Sequence, residues 1–204
     1  MNLSDKVINR LTLYHNILIE YIEKGINNIT SLQIGALLKI DASQVRKDVK
    51  MLDNIGICKV GYSVKALRKS IEEILGVGKV KEAIIVGAGN LGTALARYDN
   101  FAPYGLNILA LFDNDPLKIG MSTNGKEIFH TSKLPDLIKR LNVQIAILTV
   151  PRQFAQDVAN LLVHSGIKYI WNFSPSILEI PDDVQVWNEN LIGNFLQFTI
   201  NHKD

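Results

Sequence analysis

Apolar positions along this chain fall into two regimes. From Ser4 to Leu75 they recur at three- and four-residue spacing, whereas from Ala83 onward short continuous apolar runs alternate with helical patterns. In the first regime Val7, Leu11, Tyr14, Ile17, Leu18 and Tyr21 predict a helix that starts at an N-cap on Ser4, reaches about Lys24 and is stopped by Gly25. Thr30 or Ser31 caps a short second helix through Leu38, and after the turn Lys39-Ile40-Asp41 a third helix runs from Ala42 or Ser43 to about Ile55. The β-branched stretch from Ile57 to Val64, broken by Gly61, predicts a small hairpin, and Lys65 to Leu75 a fourth helix. Gly76-Val77-Gly78-Lys79 then reads as a junction between domains.

The second regime opens with Ala83-Ile84-Ile85-Val86, a buried strand, followed by a helix through Tyr98 and a second strand from Leu106 to Phe112 that ends on Asp113. A two-stranded excursion from Gly120 to about Phe129 follows, then a helix from Ser132, its cap, to Leu141 and an apolar strand from Val143 to Val150. Thr149-Val150-Pro151 closes what reads as the third strand of the sheet. A helix from Phe154 to His164, a strand from Ile167 to Trp171, a short strand at Val184 to Trp187 and a helix from Leu191 to Ile200 complete the pattern. Alternating strands and helices predict an open parallel sheet. The last helix is apolar around too much of its circumference (Leu191, Ile192, Phe195, Leu196, Phe198, Ile200) to stand alone at a chain end, which predicts a dimer interface.

Composition narrows the reading modestly. The 204 residues carry a formal net charge of +2, so bulk charge selects no partner. Residues 1–75 hold eleven basic and eight acidic side chains against eleven and twelve in the remainder, a small surplus compatible with nucleic acid. Cys58 is the only cysteine, which excludes an intrachain disulfide and fits a reduced, cytoplasmic setting. No apolar run approaches transmembrane length, so no membrane association is expected.

Two stretches carry chemistry. Gly87-Ala88-Gly89-Asn90-Leu91-Gly92 sits in the first turn of a βαβ unit: Gly87 for a tight turn, Gly89 for close approach of a pyrophosphate, Gly92 for helix–strand packing, with the helix N-terminus facing the phosphates. Asp113, about 20 residues on, stands where an acid accepts hydrogen bonds from an adenosine ribose, which favours NAD over NADP. A structural turn without nucleotide is the bland alternative. On the third helix, Val45, Val49 and Leu52 share one face and Ser43, Arg46, Lys47 and Lys50 the opposite one. A short helix, a turn and a helix with a basic stripe match a helix-turn-helix whose second helix reads the major groove, although periodicity alone favours an ordinary solvated face. Of the four histidines only His130, which follows a strand, draws notice, a satisfied surface histidine being its bland reading, and no general base stands out at the nicotinamide end.

Taken together, Arg10-Leu11-…-Leu13-Tyr14, Ser43-Gln44-Val45-Arg46-Lys47-Asp48, Gly61-Tyr62-Ser63-Val64, the glycine turn, Phe112-Asp113-Asn114-Asp115-Pro116-…-Lys118-Ile119-Gly120, Thr149-Val150-Pro151 and Asn172-Phe173-Ser174-Pro175 resemble the redox-sensing transcriptional repressor Rex family. The resemblance runs from about Arg10 to Gln197. It implies an α/β homodimer: a winged-helix DNA-binding domain at residues 1–77, a Rossmann-like parallel-sheet NAD(H)-binding domain at 78–190, and a helix at 191–204 swapped between subunits. It implies a repressor, not an enzyme, that leaves double-stranded operator DNA when NADH binds. Gly87 to Gly92, Asp113, Lys118, Thr149, Val150, Pro151 and Phe173 would hold the cofactor, and Ser43, Gln44, Arg46, Lys47, Lys50 and Lys59 the DNA. Neither a catalytic residue nor a metal is assigned.

Two departures stand out. The family's basic wing entry is replaced by Gly56-Ile57-Cys58-Lys59, with Asp53 nearby, which implies fewer phosphate contacts. The family couples its domains through an Arg, a Tyr and an Asp; Arg10 and Tyr98 match the first two, but the Asp position falls on Asn190, which implies weaker coupling. Other readings are a family member that binds NAD(H) with little or no DNA affinity, a CoA-binding domain, and a dehydrogenase with a helical appendage.

Overall fold

Helix periodicity in the N-terminal third is realised closely. The computed structural model describes residues 3–52, 56–57 and 61–200 and divides into two compact units, Met1–Lys79 and Val80–Asp204. In the first unit α1 (Asp5–Glu23) buries Leu11, Tyr14, His15 and Leu18. It ends at Gly25 (φ +70°), where the Ile26 N–H reaches the Tyr21 carbonyl and the Gly25 N–H that of Ile22, the paired bonds of a Schellman stop. Thr30 and Gln33 form a reciprocal capping box that starts α2 (Ser31–Leu38). Asp41 accepts from the Ser43 N–H at 2.6 Å and starts α3 (Ala42–Lys50). The close crossing of α2 on the intervening turn depends on Gly35, where a Cβ would lie 2.7 Å from the Ile40 carbonyl oxygen.

Sequence reading carried α3 to Ile55; the helix ends at Lys50 in a turn through Leu52. The hairpin is present as β2 (Gly56–Ile57) antiparallel to β3 (Gly61–Ser63), and β3 also pairs with β1 (Asn28–Ile29). The strand β1 has no signature in the sequence, because two residues carry no periodicity. The helix α4 (Val64–Leu75), capped by Ser63, closes this winged-helix core on Ile29, Ile34, Val45 and Val49.

The second unit is a seven-stranded sheet in which six strands are parallel. Its strands are β4 (Lys81–Val86), β5 (Leu106–Asp113), β6 (Ser122–Thr123), β7 (Lys126–His130), β8 (Ile145–Leu148), β9 (Tyr169–Asn172) and β10 (Gln185–Asn188), in the order β10-β9-β8-β4-β5-β7-β6. The stretch read as a two-stranded excursion is therefore only half so: β6 pairs antiparallel with β7, but β7 joins β5 in parallel as the third strand of the sheet. Thr149 accordingly follows the fourth parallel strand rather than the third. Helices α6 (Leu134–Leu141) and α7 (Arg152–His164) cover one face; α5 (Asn90–Ala96) and a 3-10 turn at Asp99–Tyr104 lie on the other. The turn before α6 is capped by His130, whose ring nitrogen accepts from the Ser132 N–H at 3.1 Å, not by Ser132 itself.

One irregularity aims the site. The β4–β5 register shifts between Ala83/Ile108 and Ile84/Ala110, a bulge that inserts Leu109. Leu109, Ala110 and Phe112 pack with Ile84 and Val86, whereas Ile108 and Leu111 pack with Ile85 and Ala88 on the opposite face. A one-residue insertion inverts the strand alternation beyond it, so Asp113 falls on the side of Ala88. The final helix, α8 (Leu191–Ile200), buries none of its residues.

Candidate functional site

Strand order reverses direction between β4 and β8, and the crevice at their carboxyl ends is where open α/β sheets take ligands. A cavity of about 560 Å³ lies there. Among the residues expected from the sequence, Gly87, Gly89, Asp113, Lys118, Thr149, Val150, Pro151 and Phe173 line it; Ala88, Asn90, Leu91 and Gly92 do not. Asn114, Thr131, Phe154 and Pro175 also line it and were not expected. Thr131 follows β7, so the rule that ligands meet strand carboxyl ends would have found it had β7 been read as part of the sheet.

The three glycines do three different things. Gly87 has φ +107°, and a Cβ there would lie 2.8 Å from the Thr149 backbone, so its absence lets the β8 end close against the turn. The Thr149 hydroxyl donates to the Gly87 carbonyl at 2.8 Å, and its N–H donates to the Val86 carbonyl at 2.9 Å. Gly92 abuts the Gly87 carbonyl oxygen so closely that any Cβ would overlap it. Gly89 faces open space, with nothing within 4 Å of a Cβ position. As N-cap of α5 it brings no side chain to the first-turn N–H groups, which leaves them to a ligand.

Asp113 is the electrostatic centre of the cleft. Its Oδ2 accepts from the Ala88 N–H at 2.8 Å and from Lys118 Nζ at 3.2 Å, and Oδ1 accepts from the Asp115 N–H at 2.9 Å. Burial works against its ionisation, but these donors outweigh it and hold the carboxyl below its ordinary range. For Lys118, burial likewise opposes the charge, and Asp113 outweighs it and raises the ammonium. Three of about four carboxylate acceptor sites are used, which leaves room for one hydroxyl donor. At the other end of the cleft Val150, Pro151, Phe154 and Phe173 form apolar walls. Phe173 leans on Trp171 (centroids 4.9 Å apart), Trp171 on Phe101 (5.8 Å) and Phe101 on Tyr98 (4.9 Å).

In the first unit, Ser43, Arg46, Lys47 and Lys50 are exposed along α3, Gln44 is half-buried at the rim of that stripe, and Val45, Asp48 and Val49 are buried. The basic stripe read from the sequence is thus an outward face. Arg46 donates to Ser31 Oγ at 3.3 Å. Lys59 lies outside the described residues, as do Asp53 and Cys58. Asp48, between two lysines in sequence, is 1% exposed. Arg10 grips it with two bonds of 2.6 and 2.8 Å, and Tyr14 donates to it at 2.8 Å. Of the other two residues expected to act with Arg10, both in the second unit, Tyr98 is exposed and Asn190 caps α8 by accepting from the Gly193 N–H at 2.8 Å.

Comparison with known proteins agrees with this geometry. A family model described as "Putative DNA-binding protein N-terminus" matches residues 2–49, and one described as "CoA binding domain" matches residues 79–176. The chain is 40% identical over 201 residues to the redox-sensing transcriptional repressor Rex of Clostridioides difficile, covering 98% of this chain and 95% of that protein. It is 41% identical over 204 residues to the protein of the same name from Caldicellulosiruptor saccharolyticus, covering 99% and 93%. Among solved structures, RSP bound to NAD⁺ and operator DNA matches with a TM-score of 0.89, and RSP bound to NADH with 0.87, each at 35% identity over 98% of this chain and 93–94% of the other.

Proposed function

This chain belongs to the Rex family of redox-sensing transcriptional repressors, and on that premise we propose that it binds double-stranded operator DNA through α3 and is released when NADH fills the cleft at the carboxyl ends of β4, β5 and β8. The observation that carries the reading is the setting of Asp113: an ionised carboxylate fixed on the Ala88 N–H of the glycine turn, with acceptor capacity left for an adenosine ribose. Lys118 beside it gives way to, or joins, the sugar hydroxyls. The pyrophosphate lies over Gly89, and the nicotinamide against Val150, Pro151 and Phe173. A 2′-phosphate would meet the Asp113 carboxylate, so NADPH binds less tightly than NADH. The CoA-binding match reflects the same glycine turn and sheet.

The protein acts as a sensor and not as an enzyme. Val150, Pro151 and Phe173 present apolar walls to the nicotinamide, and the Thr149 hydroxyl beside them spends its proton on backbone carbonyls. DNA contacts fall to Ser43, Gln44, Arg46, Lys47 and Lys50, and to Lys59. No helix among the described residues is long and apolar enough to cross a membrane, and we place the protein in the cytoplasm as a homodimer in which α8 is swapped. Exposed Leu191, Ile192 and Phe195 supply the apolar surface that a second subunit covers.

The test is a gel shift with promoter DNA from upstream of fermentative and respiratory genes, run with NAD⁺ and with increasing NADH, alongside fluorescence titration of NADH, NADPH and CoA. Retardation that NADH abolishes and NAD⁺ does not supports the reading. NADH binding without any retardation would leave a ligand-binding family member with no repressor activity, and CoA binding in preference to NADH would overturn the cofactor assignment.

A further inference from the structure

The buried carboxylate of Asp48 does more than pair with Arg10. Four donors converge on its two oxygens: Arg10 Nε at 2.6 Å and Tyr14 Oη at 2.8 Å on Oδ2, Arg10 Nη2 at 2.8 Å and Gln44 Nε2 at 2.9 Å on Oδ1. Asp48 and Gln44 are one helical turn apart on α3, so the bond runs along the edge where the buried face meets the exposed one. An ionised carboxylate only accepts. The Gln44 amide must therefore turn its nitrogen inward, which settles an orientation that is otherwise ambiguous. Its Oε1 is left at the rim of the basic stripe without a hydrogen-bond partner among the described residues.

We infer that Asp48 is a positioning residue for sequence recognition: it locks the Gln44 amide with its carbonyl oxygen outward, so that Gln44 reads DNA as a hydrogen-bond acceptor. In the major groove the groups that answer an acceptor are the exocyclic amines, adenine N6 and cytosine N4; guanine and thymine present carbonyl oxygens at the matching positions. Gln44 thus reads an amino-bearing base on one strand, while Arg46, Lys47 and Lys50 supply phosphate contacts or the guanine contacts suited to cations. Arg10 and Tyr14 hold the carboxylate in place from α1, which ties the reading side chain to a helix outside the DNA-facing element. This inference rests on α3 being the recognition helix.

The experiment uses the full chain and a library of DNA duplexes with a randomised core, selected for binding in the presence of NAD⁺. The position whose preference disappears in Gln44→Ala identifies the base that Gln44 reads. At that position the amino-bearing base is replaced by an analogue lacking only the exocyclic amine, purine for adenine or 2-pyrimidinone for cytosine. Wild-type protein is expected to lose about 5- to 10-fold in affinity, the lower part of the range for a specific base contact, and Gln44→Ala nothing. Asp48→Asn frees the amide to rotate and is expected to abolish the analogue effect while the salt dependence of binding stays the same, since no phosphate contact is touched. Tyr14→Phe removes a donor from the other carboxylate oxygen and keeps the analogue effect. Where Asp48→Asn alone does not fold, Arg10→Met/Asp48→Asn, which leaves no buried charge, carries the same test. Selective binding with no Gln44-dependent position, no analogue effect in wild type, or an analogue effect that survives loss of the Asp48 carboxylate overturns the inference and leaves the repressor reading standing. Absence of any sequence selection by wild-type protein overturns the repressor reading, and this inference with it.

Discussion

Gly92→Ala and Gly89→Ala separate two reasons for a glycine, and the structure assigns them opposite phenotypes. At Gly92 the added Cβ would overlap the Gly87 carbonyl oxygen and lie 2.8 Å from Thr149 Oγ1, inside the 3.0 Å that Cβ atoms keep from their neighbours. The main obstacle is backbone, held on its other side by the Thr149 hydroxyl at 2.8 Å, so it cannot swing away as a flexible side chain would. Moving α5 off the turn costs at the upper end of overpacking, about 3 kcal/mol. For a unit of this size that lowers Tm by about 10 °C. At Gly89 a Cβ meets nothing within 4 Å and φ is −81°, a value any residue adopts, so stability should not change. The methyl group instead stands where the pyrophosphate approaches. Losing one charge-assisted bond there, worth about 1.5–3 kcal/mol, weakens NADH roughly 10- to 100-fold. Both tryptophans, Trp171 and Trp187, lie in the second unit, so intrinsic fluorescence follows the melting of that unit alone. NADH titration gives the affinity. A Gly92→Ala protein melting with the wild type, or a Gly89→Ala protein that binds NADH normally, would refute the division of labour drawn here.

Further outcomes follow from named contacts. Burial opposes ionisation of Asp48, but Arg10, Tyr14 and Gln44 outweigh it and hold its carboxyl below the ordinary 3.8. A depressed carboxyl adds stability above its unfolded pKa and loses it as pH falls through the folded value, so the winged unit keeps this contribution above about pH 4 and sheds it below. Circular dichroism melts in acid should show this loss, and Arg10→Met/Asp48→Asn should flatten it. Thr149→Val removes the hydroxyl donor from the Gly87 carbonyl, while the backbone N–H still serves Val86, and is expected to cost about 1 kcal/mol in a fluorescence melt of the second unit. Glutamate at Leu191, Ile192 and Phe195 together, all exposed on α8, should turn a dimer into a monomer by light scattering; an unchanged mass would remove α8 from the interface.

How much of this was legible beforehand depends on the length over which a pattern repeats. Helices α1, α4 and α6 span two or more turns, and Leu11, Tyr14, Leu18, Leu67, Ile71, Leu134 and Ile138, all buried, are legible from spacing alone. The glycine turn was legible because each glycine answers a separate steric demand. The strand β1, with two residues, has no period to read, and β7 looked like half of a hairpin because its pairing with β5 is non-local. The bulge at Leu109 is invisible in an all-apolar run, where every residue suits either face, yet it decides on which side of the sheet Asp113 emerges. From the sequence, Asp48 stands out only as part of a motif. Its position between Val45 and Val49 on the buried face was available from the helical period, and a carboxylate there demanded partners that only the fold could name.

The same buried carboxylate bears on the switch. Arg10 leaves Asp48 only for an acceptor of comparable strength, because it gives up a two-bond charged pair whose acceptor is buried. A carboxylate at position 190 could compete; the neutral Asn190 amide offers a bond about half as strong. We propose that DNA release by NADH, where it draws on such an exchange, is weaker with Asn at position 190 than it would be with Asp. Asn190→Asp should strengthen it without disturbing α8, since Asp and Asn cap helices equally well and the Gly193 N–H is the bond to be kept. Operator titrations with and without NADH should show the ratio of the two dissociation constants rising by about 5- to 10-fold, the gain from a neutral to a charge-assisted bond of roughly 1 kcal/mol. The melt of the second unit should stay where it was. An unchanged ratio in a protein that still binds both ligands would mean that Arg10 stays on Asp48 throughout, and that the winged unit moves as one piece with its recognition helix locked.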